Sequence, residues 1–151
     1  MAKKQAIPTP YLSLGLAGLI PFILCLAGLI VGEGVLVAWA KIAIVGYGAI
    51  ILSFLGGIQW GLLLKEKSRK KQWSILLAGT LPALIGWCAL LVNTLLGLAV
   101  LMIGFGLQYY LDLATVDSGI APKWYTRLRL LLTTLVELIL LSTLIILWLG
   151  L

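Results

Sequence analysis

Five long apolar stretches, parted by short polar connections, constrain this chain more than any other feature. They run over residues 11–31, 42–64, 73–92, 95–113 and 128–149. Each approaches or exceeds the ~20 residues that an α-helix needs to cross the hydrocarbon of a bilayer. Helix is the expected state, because an open strand edge would leave backbone groups without partners in lipid. The stretches are also too continuously apolar for the alternation of a lipid-facing barrel. Short connections make consecutive helices antiparallel neighbours. The expected fold is therefore all-α: a polytopic membrane protein, one bundle of five transmembrane helices in a single domain over residues 1–151.

Composition agrees. Hydrophobic residues make up 62% of the 151 and charged residues 11%. A soluble domain of this length has too much surface for its volume to hide that much apolar area. The net charge of +6 does not indicate nucleic acid. The basic residues lie between the apolar stretches, and no basic helix face is interleaved with stacking aromatics. They read instead as topology signals. Lys3, Lys4, Lys65, Lys67, Arg69, Lys70, Lys71, Lys123, Arg127 and Arg129 fall on one side of five alternating helices; only Lys41 falls on the other. Basic residues mark the cytoplasmic face, so the N-terminus is expected inside and the C-terminus outside. The run at 65–71 reads as a topology determinant that touches anionic lipid.

Lys3, Lys4 and Ala38-Trp39-Ala40 loosely imitate a secretory signal. The intervening apolar stretch is too long for one and carries Pro21 in its middle, so the first helix is read as retained. No Arg-rich, Ser-rich segment precedes it, which favours a bacterial inner membrane over an organelle. Residues 114–127 hold Asp117, Gly119, Pro122, Trp124 and Tyr125. Glycine and proline punctuate this segment, and it is expected to lie along the membrane surface. Trp60, Trp124 and Tyr125 are read as interfacial anchors.

Two short similarities suggest an internal repeat. Leu16–Pro21 resembles Leu77–Pro82, and Val45–Gly48 resembles Ile103–Gly106. Helices one to four would then be a duplicated hairpin followed by a fifth helix, with Pro21 and Pro82 kinking their helices. Leu/Ala/Gly-rich sequence also yields such matches by chance. Gly28 and Gly32, and Gly57 and Gly61, have the spacing that lets helix backbones approach. Their expected use is packing within the bundle.

Polar residues inside the spans are the candidate site. Arg129, Thr133 and Glu137 recur every four residues on the fifth helix, as do Gln108 and Asp112 on the fourth. Gln59 lies near the inner end of the second. A charge at mid-membrane costs about 2.5–3.5 kcal/mol on insertion scales. Glu137 should accordingly face the bundle, protonated or paired. The expectation is one buried cluster of Gln59, Gln108, Asp112, Arg129, Thr133 and Glu137, with Asp112–Arg129 as its ion pair. Its role is either helix fastening or binding and proton handling. Histidine is absent, and Cys25 and Cys88 sit within apolar stretches without metal or redox spacing. No metal, cofactor or catalytic residue is assigned.

The stretch Ile51-Leu52-Ser53-Phe54-Leu55-Gly56-Gly57-Ile58-Gln59-Trp60-Gly61 resembles the most characteristic motif of the domain of unknown function 3429 family. Leu14-Gly15, Leu19-Ile20-Pro21-Phe22, Leu81-Pro82, Trp87, Gln108 with Asp112, and Pro122-Lys123-Trp124-Tyr125 agree in order. The family often has His where this chain has Gln59, a departure that weakens proton chemistry at that position. The resemblance implies a multi-helix membrane protein and no particular activity. Three readings of function stay open. The leading one is a non-enzymatic accessory, assembly or scaffolding component that binds the lipid bilayer and another membrane protein or complex. The others are a small transporter or channel, and a membrane enzyme acting on lipid.

Overall fold

A computed structural model describes residues 6–62 and 69–150. The helices are α1 Thr9–Ala17, α2 Ile20–Val31, α3 Val35–Leu62, α4 Arg69–Leu90, α5 Thr94–Asp117 and α6 Lys123–Leu149. Taken together, α1 and α2 form one apolar crossing over Thr9–Val31; α3, α5 and α6 are also long and apolar enough to span. The apolar part of α4, Ile75–Leu90, is shorter. From α2 onward consecutive helices pack on one another, and α3 also packs on α5. The expected all-helical bundle is present.

The first crossing is broken where Pro21 enters it. Proline has no N–H and its ring clashes with the carbonyl four residues back. Leu19 N turns to the Leu16 carbonyl instead, at 3.0 Å. The Gly18 carbonyl at the break accepts a hydrogen bond of 2.9 Å from the Tyr47 hydroxyl on α3. A neighbouring helix thus supplies the donor that lipid cannot. Pro82, by contrast, sits inside a continuous α4. The two proline sites are therefore not locally alike.

Element ends differ from the sequence reading in two places. α3 begins at Val35, seven residues before 42, so Lys41 lies inside a helix and not in a loop. Its 28 residues reach about 42 Å at 1.5 Å per residue, more than the ~30 Å of hydrocarbon. Residues 114–127 do not form a surface segment. α5 continues to Asp117, and α6 begins at Lys123. Gly119, with φ 74°, stops α5. Its N–H reaches the Val116 carbonyl and that of Ile120 the Thr115 carbonyl, the pairing of a Schellman stop. The opposite end of α5 is capped by Asn93, whose side chain accepts from Leu96 N at 3.0 Å.

The core runs between α2, α3, α5 and α6, through Phe22, Ile44, Leu52, Leu101, Phe105 and Leu140. Glycine allows the close approaches. A Cβ at Gly79 would stand 2.9 Å from the Gly56 carbonyl oxygen, and one at Gly86 3.0 Å from that of Ala49. The motif glycine Gly56 is thus where α3 meets α4. Among the described residues a Cβ at Gly57 or Gly61 would meet nothing within 4 Å, so neither makes the expected packing contact there. They sit on the outward side of α3, one residue off the contact face, since each residue turns the helix by about 100°. Leu14, Ile50, Phe54, Ile103, Leu138 and Trp148 are also exposed. Apolar side chains cover the outside of every crossing, as a protein solvated by lipid requires.

Candidate functional site

The candidate site is built by the turn between α5 and α6. The Schellman stop at Gly119 and the start of α6 after Pro122 fold α6 back along α5. Residues equally far from the turn then lie at equal depth. Asp112 is five residues before the end of α5, and Arg129 is six after the start of α6. Gln59 is three residues before the end of α3. All three therefore lie about 5–9 Å from one end of the bundle, at 1.5 Å per residue.

Asp112 is the hub. Its Oδ2 accepts from Arg129 Nε at 2.5 Å. Its Oδ1 accepts from Gln59 Nε2 at 2.7 Å and from Gln108 Nε2 at 2.9 Å. The Tyr125 hydroxyl stands 3.5 Å from the same oxygen, at the outer limit of a hydrogen bond. Gln59, Gln108, Asp112 and Arg129 are 1%, 0%, 1% and 4% exposed. A carboxylate at this burial is stable only when charge-paired and hydrogen-bonded, and here both oxygens are engaged. Because the donors come from α3, α5 and α6, the carboxylate ties three helices together.

The structure gathers four of the six expected residues around one carboxylate. Thr133 is one turn further along α6 and buried, but its hydroxyl has no partner among the described residues. Glu137 is not in the cluster. It is half-buried and lines a separate groove between α5 and α6 with Met102, Tyr109 and Thr134. The reason is helical geometry: four residues advance the angle by 400°, so two such steps turn Glu137 about 80° away from Arg129.

Two participants were not assigned by sequence. By sequence Tyr125 is an interfacial anchor, yet its hydroxyl stands 3.5 Å from the Asp112 carboxylate. The signal was available, since Tyr125 precedes Arg129 by four residues and shares its face. Thr115 donates to the Asp112 main-chain carbonyl at 2.7 Å. Of the other anchors, Trp60 is 51% exposed near the end of α3. Trp124 packs on Tyr11 of α1, with ring centroids 4.9 Å apart.

Cavities flank the cluster on two sides. One of about 290 Å³ is bordered by Gln59, Thr115 and Ser118, between α3, α4 and α5. The other, about 640 Å³, opens between α1, α3 and α6, with Arg129 and Tyr125 in its wall. Among the described residues no three His, Cys, Asp or Glu side chains gather where a metal could bind. The basic run at 65–71 lies partly outside the described residues (65–68), as do Lys3 and Lys4, so their expected roles have no structural account here.

Apolar helices of spanning length and lipid-facing hydrocarbon on their outer sides define a multi-pass helical membrane protein. The chain belongs to the family described as "Protein of unknown function (DUF3429)", whose model matches residues 7–145. It is similar to Transmembrane protein 69 of Xenopus tropicalis, 42% identical over 95% of this chain and 56% of that protein. Transmembrane protein 69 of Mus musculus is 36% identical over 83% of this chain and 51% of that protein. The chain thus spans about half the length of the curated relatives it matches. No solved structure matches it.

Proposed function

We propose that this chain is a non-enzymatic accessory or assembly component, seated in a bacterial inner membrane with its N-terminus in the cytoplasm, that docks another membrane protein. The orientation rests on the grouping of basic residues. The docking rests on one observation. Glu137 lies halfway along α6, half-buried in an outward-opening groove, and makes no hydrogen bond or ion pair among the described residues. An ionisable group at that depth is expensive in hydrocarbon and normally faces a partner. A helix from another protein that brings a basic, amide or hydroxyl side chain into the groove would supply it. The Asp112 hub has the complementary role of fixing the α5–α6 spacing that shapes the groove.

A photo-crosslinker at Leu141, which borders the groove, tests this in native membranes. The expected result is a discrete adduct with another membrane protein that weakens at least several-fold in Glu137→Leu. Lipid adducts alone, or a protein adduct indifferent to Glu137, would sink it. The transporter reading makes the opposite forecast: a cysteine at Thr134 would react with a water-soluble thiol reagent.

A further inference from the structure

The groove between α1, α3 and α6 combines features that do not suit the same solvent. Its walls are hydrocarbon, from Leu14 on α1, Phe54 and Ile58 on α3 and Leu132 on α6. Arg129 forms part of its inner wall. That guanidinium gives its Nε to Asp112, but its Nη2 is buried with no acceptor among the described residues. A donor left so in an apolar setting costs several kcal/mol, and an alkyl chain alone cannot relieve it. The occupant must therefore be amphipathic: hydrocarbon along the walls, an acceptor oxygen at Arg129.

Depth and charge narrow the class. Arg129 lies about 9 Å from the start of α6 by rise per residue. The Tyr11–Trp124 ring pair, 4.9 Å between centroids, stands at the mouth. Paired aromatics of this kind sit at headgroup level. Asp112 neutralises Arg129, so that pair adds little net charge. Around the α5–α6 turn the exposed charges are Lys123 and Arg127 in the first two turns of α6 against Asp117 at the end of α5, an excess of one positive charge. Basic side chains next to a bilayer attract acidic lipid over zwitterionic lipid. The volume of about 640 Å³ lies within the range of roughly 300–1,000 Å³ typical of small-molecule sites.

We infer that this groove binds one acidic phospholipid from the surrounding bilayer, its acyl chain between α1, α3 and α6 and a headgroup oxygen accepting from Arg129 Nη2 after a small side-chain movement that opens this buried nitrogen to the groove. The site is separate from the Glu137 groove, so it stands or falls independently of the docking reading.

Native mass spectrometry and thermal unfolding of the purified, delipidated chain in detergent test it. Phosphatidylglycerol is expected to give a retained one-to-one adduct and to raise the Tm by several degrees. Phosphatidylcholine should give at most a third of that shift, and inorganic phosphate none. Leu14→Trp and Phe54→Trp fill the groove from positions 75% and 64% exposed, so they should leave the lipid-free Tm unchanged and weaken phosphatidylglycerol binding at least tenfold. Arg129→Lys keeps a charge for Asp112 but loses Nη2, and should weaken both lipids alike, whereas Lys123→Gln with Arg127→Gln should erase most of the preference for the acidic lipid. Equal shifts for both lipids, a shift reproduced by phosphate alone, or full binding by both tryptophan variants would overturn the inference. So would adducts to a second copy of the chain, and not to lipid, from a photo-crosslinker placed at position 14 in native membranes.

Discussion

Asp112 accepts from two amides and a guanidinium that donate to no other side chain among the described residues, so its removal strands all three. Breaking a buried ion pair by deleting one partner typically costs about 3–5 kcal/mol, whereas replacing both by apolar residues is often neutral. Asp112→Leu and Arg129→Met are therefore each expected to destabilise the fold by about 3–5 kcal/mol, read by denaturant unfolding in mixed micelles. The double variant should recover most of that loss, a coupling far outside the ~0.5 kcal/mol of independent sites. Strict additivity would show that the pair is not the hub. The partners of this carboxylate were legible because depth along each helix follows from counting residues away from a turn. Gln59, Asp112 and Arg129 follow from that depth, and Gln108 from its four-residue spacing to Asp112. Glu137 escapes the cluster because a four-residue spacing keeps two residues on one face but drifts by 40° at each step. Tyr125 was hidden by its type: an aromatic at a span boundary reads as an anchor, and only its spacing from Arg129 points inward.

Hydropathy shows which segments are helices but not where each one stops, because ends are decided by local backbone chemistry. The turn between α5 and α6 is short because Gly119 takes a left-handed conformation and Pro122 precedes α6; neither shows in an apolar average. The early start of α3 was masked by Lys41, whose stem can run along the helix while its ammonium reaches water. Glycine gives the sharpest contrast between pattern and contact. Gly57 has small-residue spacing with Gly61 and meets nothing among the described residues, whereas its neighbour Gly56 lies against Pro82 and the Gly79 backbone. A Cβ at Gly56 forces α3 and α4 apart, and overpacking of this kind costs about 1–3 kcal/mol. Gly56→Ala is thus expected to lower the Tm in detergent. Gly57→Ala should be neutral or raise stability by up to ~1 kcal/mol, since alanine is the better helix former. Equal losses at the two positions would contradict the assigned crossing.

Across the whole molecule, one end of the bundle concentrates nearly everything polar. The start of α1, the ends of α3 and α5 and the starts of α4 and α6 meet there, with the Tyr11–Trp124 pair and the Asp112 hub just beneath. The described basic residues Lys123, Arg127 and Arg129 belong to that end, and the run at 65–71 connects two helices that open onto it. In the proposed orientation, with positive charge retained in the cytoplasm, this end lies inside. The hub would then face the cytoplasmic leaflet, where anionic lipid gives a surface potential near ~−30 mV. Orientation and the proposed lipid site thus depend on the same asymmetry, but orientation can be read alone. Alkaline phosphatase fused after Gly150 should be active, and the same enzyme inserted at Ser68 inactive. Replacing Lys65, Lys67, Lys70 and Lys71 by Gln removes four of the ten retained charges, and should yield a mixed population in which activity at position 68 rises. Phosphatase activity at position 68 in the unaltered chain would invert the assignment and move the Asp112 hub to the opposite leaflet.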